Sequence, residues 1–244
     1  MRLLPDCEQV AQKLVEAVKA GARVAWIRNT VDDARQAWED LSARLGVERV
    51  VLFHARFALC DRLAREEEVL AHFGKERKRE PAGRLLVATQ DIEQSLDLDM
   101  DLLATDLAPM DLILQRLGRL WRHDRPPRER PLPAPELLVL SPPPDDEAQA
   151  NWYASIFPHA QWVYPHHGQL WLTAREMDRR GVIAVPDQAR ELIEAVYGEE
   201  AEEPPPALAE RDARQKGRDM ADRSQAWMNC LSPNQAYGQG QAAW

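Results

Sequence analysis

Gln115, Arg119 and Arg122 recur at the spacing i, i+4, i+7. On a helix they line one stripe, while Ile113, Leu117, Leu120 and Trp121 line the opposite one. One face can then pack on a core while the other holds a glutamine and two arginines in a row. Gly118 lies beside that row. A glycine inside a helix costs about 1 kcal/mol relative to alanine, so it asks for a reason, such as the close approach of a backbone or a phosphate. Arginine offers a fixed fork of donors to phosphate oxygens. The chemistry open to such a row is the neutralisation of phosphate charge; the plainer reading is an amphipathic helix with a solvated basic face.

Other groups have weaker claims. Thr30, His54, Arg56, Thr89, Gln90 and Asp106 each fall just after a short apolar run. Thr30 and Thr89 can equally serve as caps. Asp97, Asp99 and Asp101 alternate, which suits a metal cluster or the polar side of an extended segment. His123-Asp124 has the spelling of a metal site, but such sites need further ligands from other helices. The dipeptide fits better as the end of an arginine-rich helix, where a histidine meets the helix dipole. His166-His167 reads as a turn. The aromatics from Trp152 to Trp171 could stack on bases, though large aromatics serve burial first, in a small satellite core.

The elements that must position these residues alternate regularly. A helix is expected over Cys7–Lys19, closed by Gly21. Arg23–Ile27 reads as a buried strand. Thr30 then caps a helix with Asp32 and Asp33 in its first turn, running to Gly46. Arg49–Phe53 is a second strand, Leu59–Phe73 a helix, Lys75–Gly83 a charged loop and Arg84–Ala88 a third strand. Leu102–Ala104 is a fourth strand, and the helix after it starts at Asp106 with Pro109 inside its first turn. Arg125–Pro135 reads as a proline-stiffened surface linker, and Glu136–Leu140 as a strand returning to the sheet. This alternation predicts a parallel sheet with helices on both faces. The residues that follow the strands should then share one edge of it.

Beyond Pro142–Pro144 the pattern weakens. Trp162–Tyr164 and Leu170–Leu172 flank His166-His167-Gly168 and suggest a hairpin. Asp187–Tyr197 is a short helix closed by Gly198, Glu199–Pro206 an acidic linker, and Ala207–Met228 a polar helix. Ser232–Trp244 has no pattern. The organisation expected is a sheet domain over 1–141, a hairpin-and-helix appendage of mixed α+β character over 142–198, and a linker with a carboxy-terminal segment over 199–244. Residues from Glu199 onward should be more mobile than the sheet, because acids and prolines bury little surface to offset ordering.

A net charge of −9 and a pI near 5.3 argue against a surface coated for nucleic acid, while leaving room for a narrow basic track. The three cysteines are scattered, which fits a reducing cytoplasm and no disulfide or cysteine-zinc framework. No apolar run approaches the length of a membrane span, and the amino terminus has no signal core.

Gln115-Arg116-Leu117-Gly118-Arg119-Leu120-Trp121-Arg122 resembles the sixth motif of superfamily-two helicases. Val24–Thr30 is similar to the fourth motif. Leu52–Phe57 with Asp61-Arg62 resembles the accessory motif that follows, and Val87–Gln90 through Asp97 the fifth. The run from Val87 to Pro109 into Gln115–Arg119, with His54–Phe57 and Phe73-Gly74-Lys75, narrows the likeness to the CRISPR-associated helicase-nucleases of type I systems. Val182–Gly198 resembles the region after the motor in that family. The similarity covers roughly Val24–Gly198.

The resemblance implies a second RecA-like motor lobe. It is expected to belong to an ATP-dependent translocase that pulls single-stranded DNA while an HD nuclease domain cuts it, recruited by a Cascade-type surveillance complex in the cytoplasm. By carry-over, Arg119 and Arg122 would be catalytic arginine fingers on ATP, ordered by Gln115, with Gly118 beside them. Asp97 would meet the ribose or couple the lobes. Thr30, His54, Arg56, Thr89 and Gln90 would contact the DNA backbone. No Gly-x-x-x-x-Gly-Lys-Ser/Thr loop and no Asp-Glu-x-His box occurs in the sequence. ATP and Mg2+ would therefore be held mainly by a first lobe lying before Met1 in a full family member, and this chain alone should be inactive. No metal site is expected within it. The alternatives are a non-enzymatic DNA-binding or docking module from a split or truncated gene, and a second lobe from another superfamily-two helicase.

Overall fold

The computed structural model describes residues 1–76, 83–92 and 96–228. Much of the charged loop, part of the fifth-motif segment and the patternless carboxy terminus lie outside the described residues.

Six parallel strands form one sheet: β1 (Arg2–Leu4), β2 (Arg23–Ile27), β3 (Val50–Phe53), β4 (Arg84–Ala88), β5 (Leu102–Asp106) and β6 (Glu136–Leu140). Their order across the sheet is β1-β6-β5-β2-β4-β3. The helices are α1 (Cys7–Lys19), α2 (Val31–Leu45), α3 (Leu59–Phe73), α4 (Met110–Leu117), α5 (His167–Arg180), α6 (Ala189–Tyr197) and α7 (Pro206–Met228). The chain steps across the sheet one way through α1 and α2, and back through α3 and α4. Right-handed crossovers then place the two pairs on opposite faces. The central strands β2 and β5 are buried along their whole length, as parallel strands covered on both faces must be. No helix among the described residues is long and apolar enough to cross a membrane.

Local chemistry explains the ends of the early elements. Asp6 caps α1 through the Glu8 N–H at 2.9 Å. Gly21, at φ 94°, turns the chain back so that the Ala22 N–H reaches the Ala17 carbonyl. Thr30 caps α2 by accepting the Asp33 N–H at 3.0 Å, as expected.

Four expectations need correction. The helix after β5 starts at Met110 instead of Asp106, because β5 runs on to Asp106 and Pro109 is the cap. That helix ends at Leu117, so the arginine octet is split between a helix and a turn. Arg119 to Trp121 leave the helix because Met100 captures them: its N–H bonds the Arg119 carbonyl, and its carbonyl accepts the Trp121 N–H, both at 2.9 Å. The hairpin around His166-His167-Gly168 is instead the start of α5; no strand occurs in 142–198 among the described residues, so that appendage is helical. The loop from Arg125 to Pro135 is pinned to the body, with Arg130 buried. The short edge strand β1, paired to β6, was not expected at all.

Candidate functional site at the two edges of the sheet

The candidate residues divide between opposite edges of the sheet. Ile27 pairs with Ala88 and Thr105, and Phe53 pairs with Ala88. The strand ends therefore stand side by side, and Thr30, His54, Arg56, Thr89 and Gln90 share the carboxyl edge. Their roles there differ. Arg56 and Gln90 are exposed, and Arg56 is only loosely paired, 3.7 Å from Asp32. The Thr30 hydroxyl is half-buried and engaged with Asp33, donating to its Oδ2 at 2.6 Å. Thr89 is buried and donates to Asp91 Oδ2 at 3.0 Å. His54 is buried flat on Phe57, 4.1 Å between ring centroids, and its Nδ1 accepts the Arg56 N–H at 3.2 Å. Burial lowers the His54 pKa, and the Arg35 and Arg56 charges push the same way. The neutral ring thus supports the loop that carries Arg56.

Beneath this edge lies a buried network that sequence reading missed. Asp106, wholly buried, receives Arg28 Nε at 2.9 Å and the Asn29 N–H at 3.0 Å. Burial pushes its carboxyl up, and Arg28 pulls it back. Asn29 Nδ2 donates to the Leu107 carbonyl and to Tyr153 Oη, each at 2.8 Å. Arg116, also fully buried, donates to the Thr105 hydroxyl and to the Asp106 carbonyl. Asp106 and Arg116 therefore fasten strands and helix. The signal was present in part: an arginine on the apolar side of a helix needs a buried partner.

The octet lies at the other edge. α4 carries the chain away from the end of β5, and Leu120 bridges to Met100, two residues before β5 begins. Asp97 is brought there too. Its Oδ1 receives Arg122 Nε at 2.6 Å and faces His123 Nε2 at 3.1 Å. Arg122 Nη1 reaches back to the Gly118 carbonyl at 3.5 Å. Arg119 is half-buried, and Gln115 is exposed one turn earlier on α4. Gly118 is a helix-end residue, so no mid-helix cost applies. Asp97, Gly118 and Arg122 thus touch, with Arg119 and Gln115 beside them. His123 ends no helix; it belongs to this ion-pair group.

That group stands on a buried frame. Asp99 is paired with Arg125 and with Arg130, the latter at 3.0 Å. Asp101 takes Arg130 Nη1 at 2.9 Å and the Arg23 N–H at 2.8 Å. Arg130 lies over the Trp121 ring at 4.9 Å, and Trp121 Nε1 donates to the Asp101 carbonyl at 3.1 Å. Trp121 itself is held at φ 48°, a left-handed conformation costing roughly 1–2 kcal/mol for a residue with a side chain. The aspartates are consumed by arginines here. Among the described residues no group of three or more His, Cys, Asp or Glu side chains could hold a metal ion.

Residues 20–125 match the family model "CRISPR-associated nuclease/helicase Cas3, C-terminal". The chain is 36% identical to the CRISPR-associated endonuclease/helicase Cas3 of Escherichia coli strain K12, over 83% of this chain and 22% of that protein. It is 43% identical to the Thermus thermophilus protein of the same name, over 84% of this chain and 26% of that one. A crystal structure of T. fusca Cas3 with ADP superposes with a TM-score of 0.77 at 32% identity, covering 95% of this chain and 27% of that one. A chain in the structure titled "CRISPR RNA-guided surveillance complex, pre-nicking" gives 0.72 at 32% identity, covering 95% of this chain and 28% of its own. The chain spans about a quarter of the length of these relatives. It belongs to the Cas3 family of CRISPR-associated nuclease/helicases, and its RecA-like sheet corresponds to their carboxy-terminal helicase lobe.

Proposed function

We propose that the chain is the second motor lobe of an ATP-driven single-stranded DNA translocase in CRISPR defence. On this reading Arg119 and Arg122 act as arginine fingers from the amino edge, and Arg56, Gln90 and Thr30 meet the DNA backbone at the carboxyl edge. The observation that carries it is the Asp97–Arg122 pair on its buried frame. Both side chains are nearly half exposed, at 47% and 40%. An ion pair so exposed is worth about 0–1 kcal/mol, so its arginine can be given up to another anion at little cost. The frame beneath keeps the backbone fixed while that exchange happens. A phosphoryl transition state spreads charge over its oxygens, and an arginine supplied from a second body can be worth about 10³–10⁵ in rate.

The described residues offer no magnesium ligand set, so Mg2+ and the phosphate cradle would come with the first lobe, and no metal-bound step is assigned to this chain. The HD nuclease would act on the strand that the motor delivers, and a Cascade-type surveillance complex would recruit the assembly in the cytoplasm. The test is ATPase turnover of this chain mixed with a Walker-loop first lobe and single-stranded DNA. Arg119→Ala and Arg122→Ala should each lower the rate by about three to five decades, with Arg119→Lys rescuing little because a point charge lacks the planar fork. Full turnover by both alanine variants, each shown by circular dichroism to be folded, would remove the octet from the active site and leave a docking module.

A further inference from the structure

The aromatics between Trp152 and Trp171 form no separate satellite core; they pack into the main core, and Trp162 is the exception. Trp152, Tyr153, Phe157 and Trp171 are each no more than 7% exposed, whereas Trp162 is 69% exposed. Trp162 forms one wall of a cavity of about 250 Å³ whose other wall is the first half of α7, including Arg211, Arg214 and Arg218. Elsewhere this protein covers tryptophan rings with arginine: Arg28 lies over Trp26 at 4.4 Å, Arg130 over Trp121 at 4.9 Å and Arg175 over Trp171 at 5.3 Å. Among the described residues no arginine covers Trp162, although three line the same cavity.

The arginines are unequally committed. Arg214 is held by Glu210 at 2.5 Å. Arg211 Nη2 sits 3.4 Å from His167 Nε2, and its Nε is buried without a hydrogen-bond partner. Arg218 is exposed. A buried, unpartnered guanidinium N–H is costly unless something accepts from it. A chain of contacts links the cavity to the carboxyl edge without merging the two: Arg211 reaches His167, His167 packs on Tyr153 at 5.0 Å, and Tyr153 bonds Asn29, next to Thr30.

We propose that this cavity binds a short stretch of single-stranded nucleic acid, with a base on Trp162 and flanking phosphates on Arg211 and Arg218. An open aromatic face accepts any base, and arginine forks suit phosphate oxygens. Arg211 and Arg218 lie seven residues apart on α7, a rise of about 10.5 Å, so each can meet a different phosphate of an extended strand. The site is separate from both edges discussed above and does not require the ATPase reading.

The experiment is fluorescence anisotropy of labelled oligothymidylate with the 244-residue chain, beside photocrosslinking of an iodouracil-substituted oligonucleotide. Trp162→Leu should weaken binding about 5- to 150-fold, the range for losing one stacked base. Arg218→Ala should lower the salt slope by about 0.7 for one lost phosphate contact. The crosslink should map to Trp162. Thymidine monophosphate outcompeting inorganic phosphate, with the oligonucleotide outcompeting both, assigns the site to a strand. Equal competition by monophosphate and oligonucleotide assigns it to a free nucleotide and overturns the strand proposal. Equal competition by polyglutamate with Trp162→Leu silent makes the cavity an acidic-protein contact and also overturns it. Binding lost in Arg56→Ala but unchanged in Trp162→Leu and Arg218→Ala, with crosslinks away from Trp162, sinks this site and leaves the carboxyl-edge track standing.

Discussion

Arg130 and Arg122 both pair with aspartates of the run from Asp97 to Asp101, yet their surroundings give the two pairs opposite uses. The Arg130 side chain is 3% exposed and joins Asp99 and Asp101, which are 0% and 2% exposed. Removing one partner of a buried pair strands a charge without water, at a cost of about 3–5 kcal/mol. Arg125 still holds Asp99, and the Arg23 N–H still holds Asp101. Arg130→Met should therefore destabilise by roughly the lower figure, about 3 kcal/mol. Asp97→Asn breaks only a half-exposed pair and should cost less than about 1 kcal/mol. Urea denaturation of the two variants checks this. Equal midpoints would mean that the frame holds nothing, and that Trp121 and Arg122 are placed by something else.

At the scale of elements, the start of α5 shows what a single chain can hide. Aromatics on either side of His166-His167-Gly168 read as strands around a turn, but the helix begins there because of a partner 44 residues away. Asp212 of α7 accepts the Gly168 N–H at 3.0 Å, and a Cβ on Gly168 would stand 2.7 Å from that carboxylate oxygen. His167 is sealed beneath this contact, 3.2 Å from the Gln161 carbonyl. Burial, with the nearby Arg211 charge, lowers its pKa from 6.5 to about 4. The neutral ring is thus favoured by folding. The stability it contributes is complete above pH 6.5 and is lost as pH falls towards 4, amounting to about 2 kcal/mol by about pH 5. His167→Gln, which can still donate to Gln161, should flatten that part of the acid limb; an unchanged limb in chemical denaturation at both pH values would show that His167 titrates normally. By contrast α1 and α2 were legible, because Gly21, Thr30 and Gly46 mark their ends in the local sequence. The strand-following candidates were legible for the same reason, since alternation alone puts them at one edge. β1 was not, because Arg2–Leu4 is too short to show a period. Nor was the buried role of Asp106 and Arg130, since their partners arrive from distant strands and loops.

For the whole molecule, the division of the candidate residues between two edges has a consequence that neither edge has alone. The strands connect the edges as rigid rods: Thr105 and Asp106 lie at the carboxyl end of β5, and Met100 and Asp101 at its amino end. Arg56 sits on a loop resting on His54 and Phe57, while Arg122 sits on the frame of Asp99, Asp101 and Arg130. Among the described residues the two share no side-chain partner, so substitutions there should act almost independently. In the reconstituted two-lobe mixture, Arg56→Ala should raise the DNA concentration needed for half-maximal ATPase and lower its salt slope by about 0.7. Turnover at saturating DNA should stay near that of the unaltered chain. Arg122→Ala should do the reverse, cutting turnover by decades while leaving the DNA dependence in place. In the double variant the two effects should add within about 0.5 kcal/mol. A much larger coupling would mean that the edges communicate by more than rigid transmission, and Thr89 at one edge and Asp97 at the other would be the residues to substitute next. Arg56→Ala that lowers turnover at saturating DNA as deeply as Arg122→Ala would place both residues in one site and contradict the division of labour between the edges.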